Sequence, residues 1–491
     1  MNISINTIIQ QIFFIVLNCL LFFNAIEMVI ENESYRKILV VIFSIAFINF
    51  IFYTTIKSRS LIRTVYVVIS LIPIWMRGSP YLGINLMPNN FYYITLDVIL
   101  FNVLSTLMVM ALMIKPKIYL NEISKNMLVI LSLILLGICI NLASSSNISN
   151  ELNLFIVNIF TPAFFLISLY VYSLQVSHQH RGVIVKSISN LYFMILLFML
   201  IELLFKGGAI FQNPGMILEN GLRIGSKINP DNYGATIISG GIRDLLYLAF
   251  LFSIYPIVGL IFVKREIIKN KTYFIMLGVS FLIVFGVHSK TPIVIFFLSL
   301  LLSSGVKKFL LNYLPIVTTF MMLFSEGLIQ RVSNFYKSFL YIIDGSFSLS
   351  REIDSSAAGR IIGVIERYNE LLLNQWIGLS SIKLIDNIVV YLFSIVGVAI
   401  GGLIIILTIR VWNDLNKYGR RLGIVILSYS MVTFNNLFGV GGWNSYLKYE
   451  TSSEFIHVYG WLPSYSAGNV YVTLMLVYLV LINNKSNGYR D

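Results

Sequence analysis

Charge is the first thing this sequence is short of. Only 12% of its 491 residues are Asp, Glu, Lys or Arg, whereas 57% are hydrophobic and the mean hydropathy is +0.83. Soluble domains carry about a quarter charged residues, so the composition excludes an ordinary soluble globule and points to a polytopic membrane protein. Cysteine is almost missing: Cys19 and Cys139 stand far apart inside apolar runs, which argues against a disulfide framework or a cysteine metal site. The N-terminal "MNISINTIIQQIFFIVLNCLLFFNAIEMVI" lacks a basic leader and a small-residue cleavage site, so it reads as a first span, not a removed signal peptide. Repeats, heptads, low-complexity tracts and Pro/Gly-rich linkers are also lacking, which leaves residues 1–491 as one integral unit.

What is present is a succession of apolar runs. A bilayer core takes about 20 apolar residues per helix. On that measure the chain holds about fourteen spans, near 8–29, 38–56, 61–76, 93–114, 127–144, 153–175, 183–205, 242–263, 272–287, 291–305, 309–325, 385–411, 422–440 and 468–483. The expected fold class is therefore all-α, a bundle of membrane helices. With a cytoplasmic N-terminus, alternation puts the short connections at 57–63, 115–125, 181–186, 264–271, 307–308 and 410–421 inside, together with the C-terminal 485–491. These hold 20 of the 35 basic residues but only four of the 22 acids, as the positive-inside rule requires. The formal charge of +13 thus sets topology, with both termini cytoplasmic, and does not imply a nucleic-acid partner.

The outer connections are long by comparison: 77–92, about 206–241, about 326–384 and 441–467. Long loops on one face place the chemistry there. In the longest, Ile361, Ile365, Tyr368 and Leu372 recur at helical spacing, predicting a surface helix with its apolar side on the bundle or on lipid headgroups. Arg360 and Arg367 are seven residues apart, which on a helix brings them within about 20° of one face. Glu370 and Asn374 continue that face. By itself this pattern fits an interfacial helix meeting lipid phosphates equally well. The 206–241 loop carries "GLRIGSKINPDNYG", in which Arg223 and Lys227 precede an Asn-Pro-Asp turn. Ten residues separate Arg223 from Gly234, and ten separate Arg367 from Gly378.

These segments resemble the O-antigen polymerase/ligase superfamily of bacterial surface-polysaccharide assembly, and most closely its Wzy-type polymerases. The resemblance rests on "GR" at 359–360 followed by Gly378, on "DN" at 386–387 followed by Gly397, on "RIGSKINPDNYG", and on "HSKTPIVIFF" with Lys290 at a basic position. It covers about residues 220–405. Ligases carry histidine where this chain has Asp386, which counts against ligase activity.

The resemblance implies a glycosyltransferase-C-like fold in the bacterial inner membrane. It also implies an enzyme joining undecaprenyl-diphosphate-linked repeat units at the outer face, with membrane lipid and a chain-length regulator as further partners. A departing diphosphate calls for fixed cations, and the arginine fork matches phosphate oxygens. Arg223, Arg360 and Arg367, with Lys227, Lys290 and Asn387 on the substrate, would supply this with no metal and no cofactor. Asp386, where a loop re-enters the membrane, is the preferred general base, with Glu366, Glu370 and Asp231 as alternatives. The competing functions are a lipid-linked oligosaccharide flippase and an O-antigen ligase. A flippase is expected to carry related halves and mid-membrane charges, and neither is read here.

Overall fold

The computed structural model describes residues 61–70, 93–115, 117–143, 160–176, 178–206, 245–286, 290–315, 325–373, 387–438 and 464–485, a short strand at 83–85, and single residues at 46, 72 and 318. Within them the chain is all-helical apart from one antiparallel pair, β1 (Gly83–Asn85) and β2 (Tyr93–Thr95), in which Ile84 faces Ile94. The helices in order are α1 (Leu61–Ser70), α2 (Leu96–Met113), α3 (Glu122–Ala143), α4 (Thr161–Leu174), α5 (His178–Lys206), α6 (Leu245–Ser253), α7 (Tyr255–Lys264), α8 (Asn270–Gly286) and α9 (Lys290–Ser304). They continue as α10 (Val306–Lys308), α11 (Ser325–Ile343), α12 (Phe347–Ile353), α13 (Ser355–Leu373), α14 (Ile388–Val396), α15 (Val398–Asp414), α16 (Lys417–Phe438) and α17 (Ser464–Ile482).

By length and composition, one described helix is long and apolar enough to cross a bilayer, Glu122–Ile140 within α3. The pair α6–α7 passes the same test when taken together, with a 48° bend between its halves. Shorter apolar helices lie within α1, α2, α4, α8, α9 and α17. The expected spans at 8–29 and 38–56 fall outside the described residues, save Ala46.

Two expected spans are broken, and each break has a local cause. Pro256 sits in the first turn of α7, has no N–H to donate back into α6, and marks the bend. Within 385–411 the break is at Gly397, whose φ of 81° is a left-handed conformation that glycine alone adopts cheaply. It ends α14 and starts α15. Beside it, α3 approaches α14 so closely that a Cβ on Gly137 would lie 2.6 Å from Cβ of Val396.

The main core gathers α1, α2, α4–α9, α16 and α17 around fully buried aromatics, among them Tyr192, Tyr247, Tyr255 and Tyr471. Buried phenols need partners, and two of these show them: Tyr192 donates to the Leu251 carbonyl (3.1 Å) and Tyr247 bonds Thr473 Oγ1 (2.9 Å). A polar knot closes one end of the bundle. The Tyr170 hydroxyl accepts from Asn121 Nδ2 (3.0 Å) and Asn484 Nδ2 (3.1 Å). Asn121 also caps α3 through Ser124 N (2.9 Å), Asn484 Nδ2 reaches the Leu481 carbonyl (3.0 Å), and Arg265 bonds Asn483 Oδ1 (3.1 Å). Residues 482–484 thereby fasten the ends of α3, α4, α7 and α17.

Tyr170→Phe keeps the ring and removes the acceptor that Asn121 Nδ2 uses. A buried donor left unpaired costs about 1–3 kcal/mol. The variant is expected to lose that much stability in thermal unfolding of the detergent-purified protein. An unchanged midpoint would show that the knot contributes nothing.

Candidate functional site

The 326–384 loop contains three helices packed on one another. α11 and α12 are clasped by serines: Ser338 and Ser350 are both buried, their hydroxyls lie 2.7 Å apart, and Ser350 Oγ donates to the Ser338 carbonyl (2.9 Å). α13 joins them through Ala358 and Ile362 against Ile342. Arg351 of α12 pairs with Glu366 of α13 at 3.7 Å on the exposed side.

Of the expected apolar stripe of α13, Ile361 packs against the Ile342–Ile362 cluster and the rest is bare. Ile365, Tyr368 and Leu372 are exposed, while Ala358, Ile362, Arg367 and Leu371 are buried. The reason is that α13 is flanked by α11 and α12 on one side and by α14 on the other. Each flank buries a narrow strip, and the rest of the stripe stays bare between them.

Arg367 belongs to the α14 flank. Its side chain is 4% exposed, its Nε donates to Ser394 Oγ at 3.4 Å, and its guanidinium forms an ion pair with Glu370. Ser394 Oγ in turn donates to the Val390 carbonyl (2.7 Å). Ser394 is a neighbour that sequence reasoning missed, because a serine inside an apolar helix carries no outward signal. Arg360 lies on the same helix seven residues earlier and is half-buried. Helical periodicity puts it on the Arg367 flank, about 10 Å along the helix from Arg367.

Asn387 is committed to structure. Its Oδ1 accepts from Val389 N (3.0 Å) and Val390 N (3.1 Å), capping α14, and its Nδ2 donates to the Met431 carbonyl (3.2 Å). That carbonyl is released by a non-helical residue in α16, Thr433, with φ −145° and ψ 45°. Glu370 and Glu366, the alternative bases, are both in ion pairs.

The packing of α13 on α14 is antiparallel, since Leu371 meets Val390 while Arg367 meets Ser394. Two turns of helix rise about 10 Å, so Arg360 and Asn387 sit toward opposite ends of the pair, roughly 20 Å apart along it. Two of the expected residues, Arg360 and Arg367, thus share a flank, and Asn387 stands away from them. Lys290 is the first residue of α9. Arg223, Lys227, Asp231 and Asp386 lie outside the described residues. Among the described residues, no group of three or more His, Cys, Asp or Glu is placed to hold a metal ion. No family model, curated protein or solved structure matches the chain.

Proposed function

We propose that this chain is a polytopic membrane glycosyltransferase that polymerises undecaprenyl-diphosphate-linked oligosaccharide units at the outer face of the bacterial inner membrane. The membrane part of the reading is supported by apolar side chains left bare on several helices, such as Leu136 and Ile140 on α3, Phe274 and Leu282 on α8, and Leu403, Ile406 and Ile409 on α15. Apolar surface on that scale is not stable against water and is at home against lipid.

The enzymatic part is supported by one feature: a helix in the longest expected outer loop carries Arg360 and Arg367 seven residues apart on one flank, the flank that packs on α14 through Arg367. In the reaction the acceptor sugar hydroxyl attacks the anomeric carbon of the donor chain. The bond from that carbon to the diphosphate oxygen breaks, the hydroxyl proton passes to a carboxylate, and undecaprenyl diphosphate departs. Arg360, with Arg223 and Lys227, would stabilise the charge gathering on the diphosphate. Arg367 would hold α13 in place for it. Attack and departure occur on one anomeric carbon, so the base must act within a few ångströms of the diphosphate, and Asn387, roughly 20 Å from Arg360 along the α13–α14 pair, has no part in this step.

Deleting the gene and resolving surface polysaccharide on a gel tests the reading. A single repeat unit on the acceptor in place of a ladder is the expected result. Free lipid-linked polymer would make the protein a ligase, and failure of any unit to reach the outer face would make it a flippase.

A further inference from the structure

Around α11, Ser338 and Ile342 face inward, and the neighbouring arc holds Tyr336, Phe339, Leu340 and Ile343, which are 61%, 43%, 41% and 65% exposed. This arc covers roughly 100° of the helix circumference, with Asn334 and Lys337 on the opposite side. Phe339 stacks on Phe335, with ring centroids 6.4 Å apart. On α13 the bare stripe of Ile365, Tyr368 and Leu372 occupies about 60°, and Glu366 and Glu370 point some 130–170° away from its centre. α13 is therefore held by α11, by α12 through the Arg351–Glu366 pair, and by α14, with its apolar side left over.

We infer that α11 and α13 rest on the bilayer, their apolar arcs inserted at the boundary between headgroups and acyl chains of the outer leaflet. This rests on the membrane reading given above. Lipid is the occupant because the chain leading from the partner of α13 to the bare face of α15 carries no charge. α13 packs on α14, α14 passes through Gly397 into α15, and no charged residue interrupts 387–409 before the exposed Leu403, Ile406 and Ile409. A bilayer covering α15 extends to the underside of α13. Tyr336 and Tyr368 suit that depth, since a tyrosine ring can sit in the apolar layer while its hydroxyl reaches water. The consequence for substrate is one of height. The flank carrying Arg360 and Arg367 is set at headgroup level, where the diphosphate of a lipid carrier must lie.

The test uses the full-length protein with Cys19→Ser and Cys139→Ser, and one cysteine added at a time by Phe339→Cys, Tyr368→Cys, Glu366→Cys or Ile406→Cys. Each variant is labelled with a polarity-sensitive fluorophore and reconstituted in phosphatidylethanolamine/phosphatidylglycerol liposomes. Labels at 339 and 368 are expected to be quenched at least twofold by lipids bearing a nitroxide near the headgroup. The label at 366 should respond to aqueous iodide alone, and the label at 406 to a deep nitroxide. Quenching at 406 combined with iodide access at 339 and 368 would overturn the inference and leave the membrane reading standing. Shielding of 339 and 368 from both quenchers would also overturn it, by assigning the face to a second copy or another protein. No lipid quenching at 406 would remove the membrane reading itself.

Discussion

Arg360→Ala is expected to abolish long-chain polysaccharide in a deletion strain while the protein accumulates in the membrane at the normal level. Removing one fixed donor from a site that stabilises developing charge costs about 10²–10³-fold in rate, enough to collapse a ladder to its first rung. Arg360→Lys keeps the charge but loses the planar fork, so a shortened ladder is expected. Arg223→Ala should behave like Arg360→Ala. The readouts are a polysaccharide gel and an immunoblot of the membrane fraction. A normal ladder from Arg360→Ala with normal protein would end the assignment of this residue to catalysis.

Glu370→Ala is expected to be the most destabilising change in the loop, at about 3 kcal/mol, whereas Arg367→Met should cost less. The difference lies in burial. Arg367 is 4% exposed and Glu370 is 43% exposed. Taking away the carboxylate removes the counter-charge of a buried guanidinium that keeps its bond to Ser394, and breaking a buried pair from one side costs about 3–5 kcal/mol, discounted here because Glu370 is partly solvated. Taking away the guanidinium leaves a carboxylate that water can reach, and a methionine can fill much of the space. Thermal unfolding of the two purified variants distinguishes them. If Arg367→Met keeps full stability and loses all polymer, Arg367 touches substrate and is not the anchor described above.

Much of the helical architecture could be read from apolar runs. α3, α5 and α9 fall where runs of suitable length stand, and α8 and α9 are separate helices although only "HSK" divides their expected spans. The breaks were not legible. Ser394 to Ile400 reads as unbroken apolar sequence, and nothing in it shows that Gly397 takes a left-handed φ. Pro256 is visible, but a proline in a first turn is also how ordinary helices begin.

At the site, spacing alone was enough to put Arg360 and Arg367 on one flank. It left open what the apolar side of α13 meets, because a periodic stripe says which residues are apolar and not what they touch. That α11, α12 and α14 take its flanks, and that among the described residues Ile365, Tyr368 and Leu372 stay bare, cannot be seen from one helix. Asn387 was legible as a polar residue at a helix start, yet its second bond depends on a kink in α16 more than forty residues away in the chain.

The knot at Tyr170 has a consequence in time. Asn121 is made before Tyr170, but Asn484 follows it by 314 residues. During synthesis α4 must wait beside α3 with its phenol half served while every later helix is threaded in. Arg265 waits likewise for Asn483, 218 residues on. The two residues just after α17 therefore complete this end: a chain cut before residue 483 leaves the Tyr170 hydroxyl with one of its two donors and Arg265 without Asn483 Oδ1.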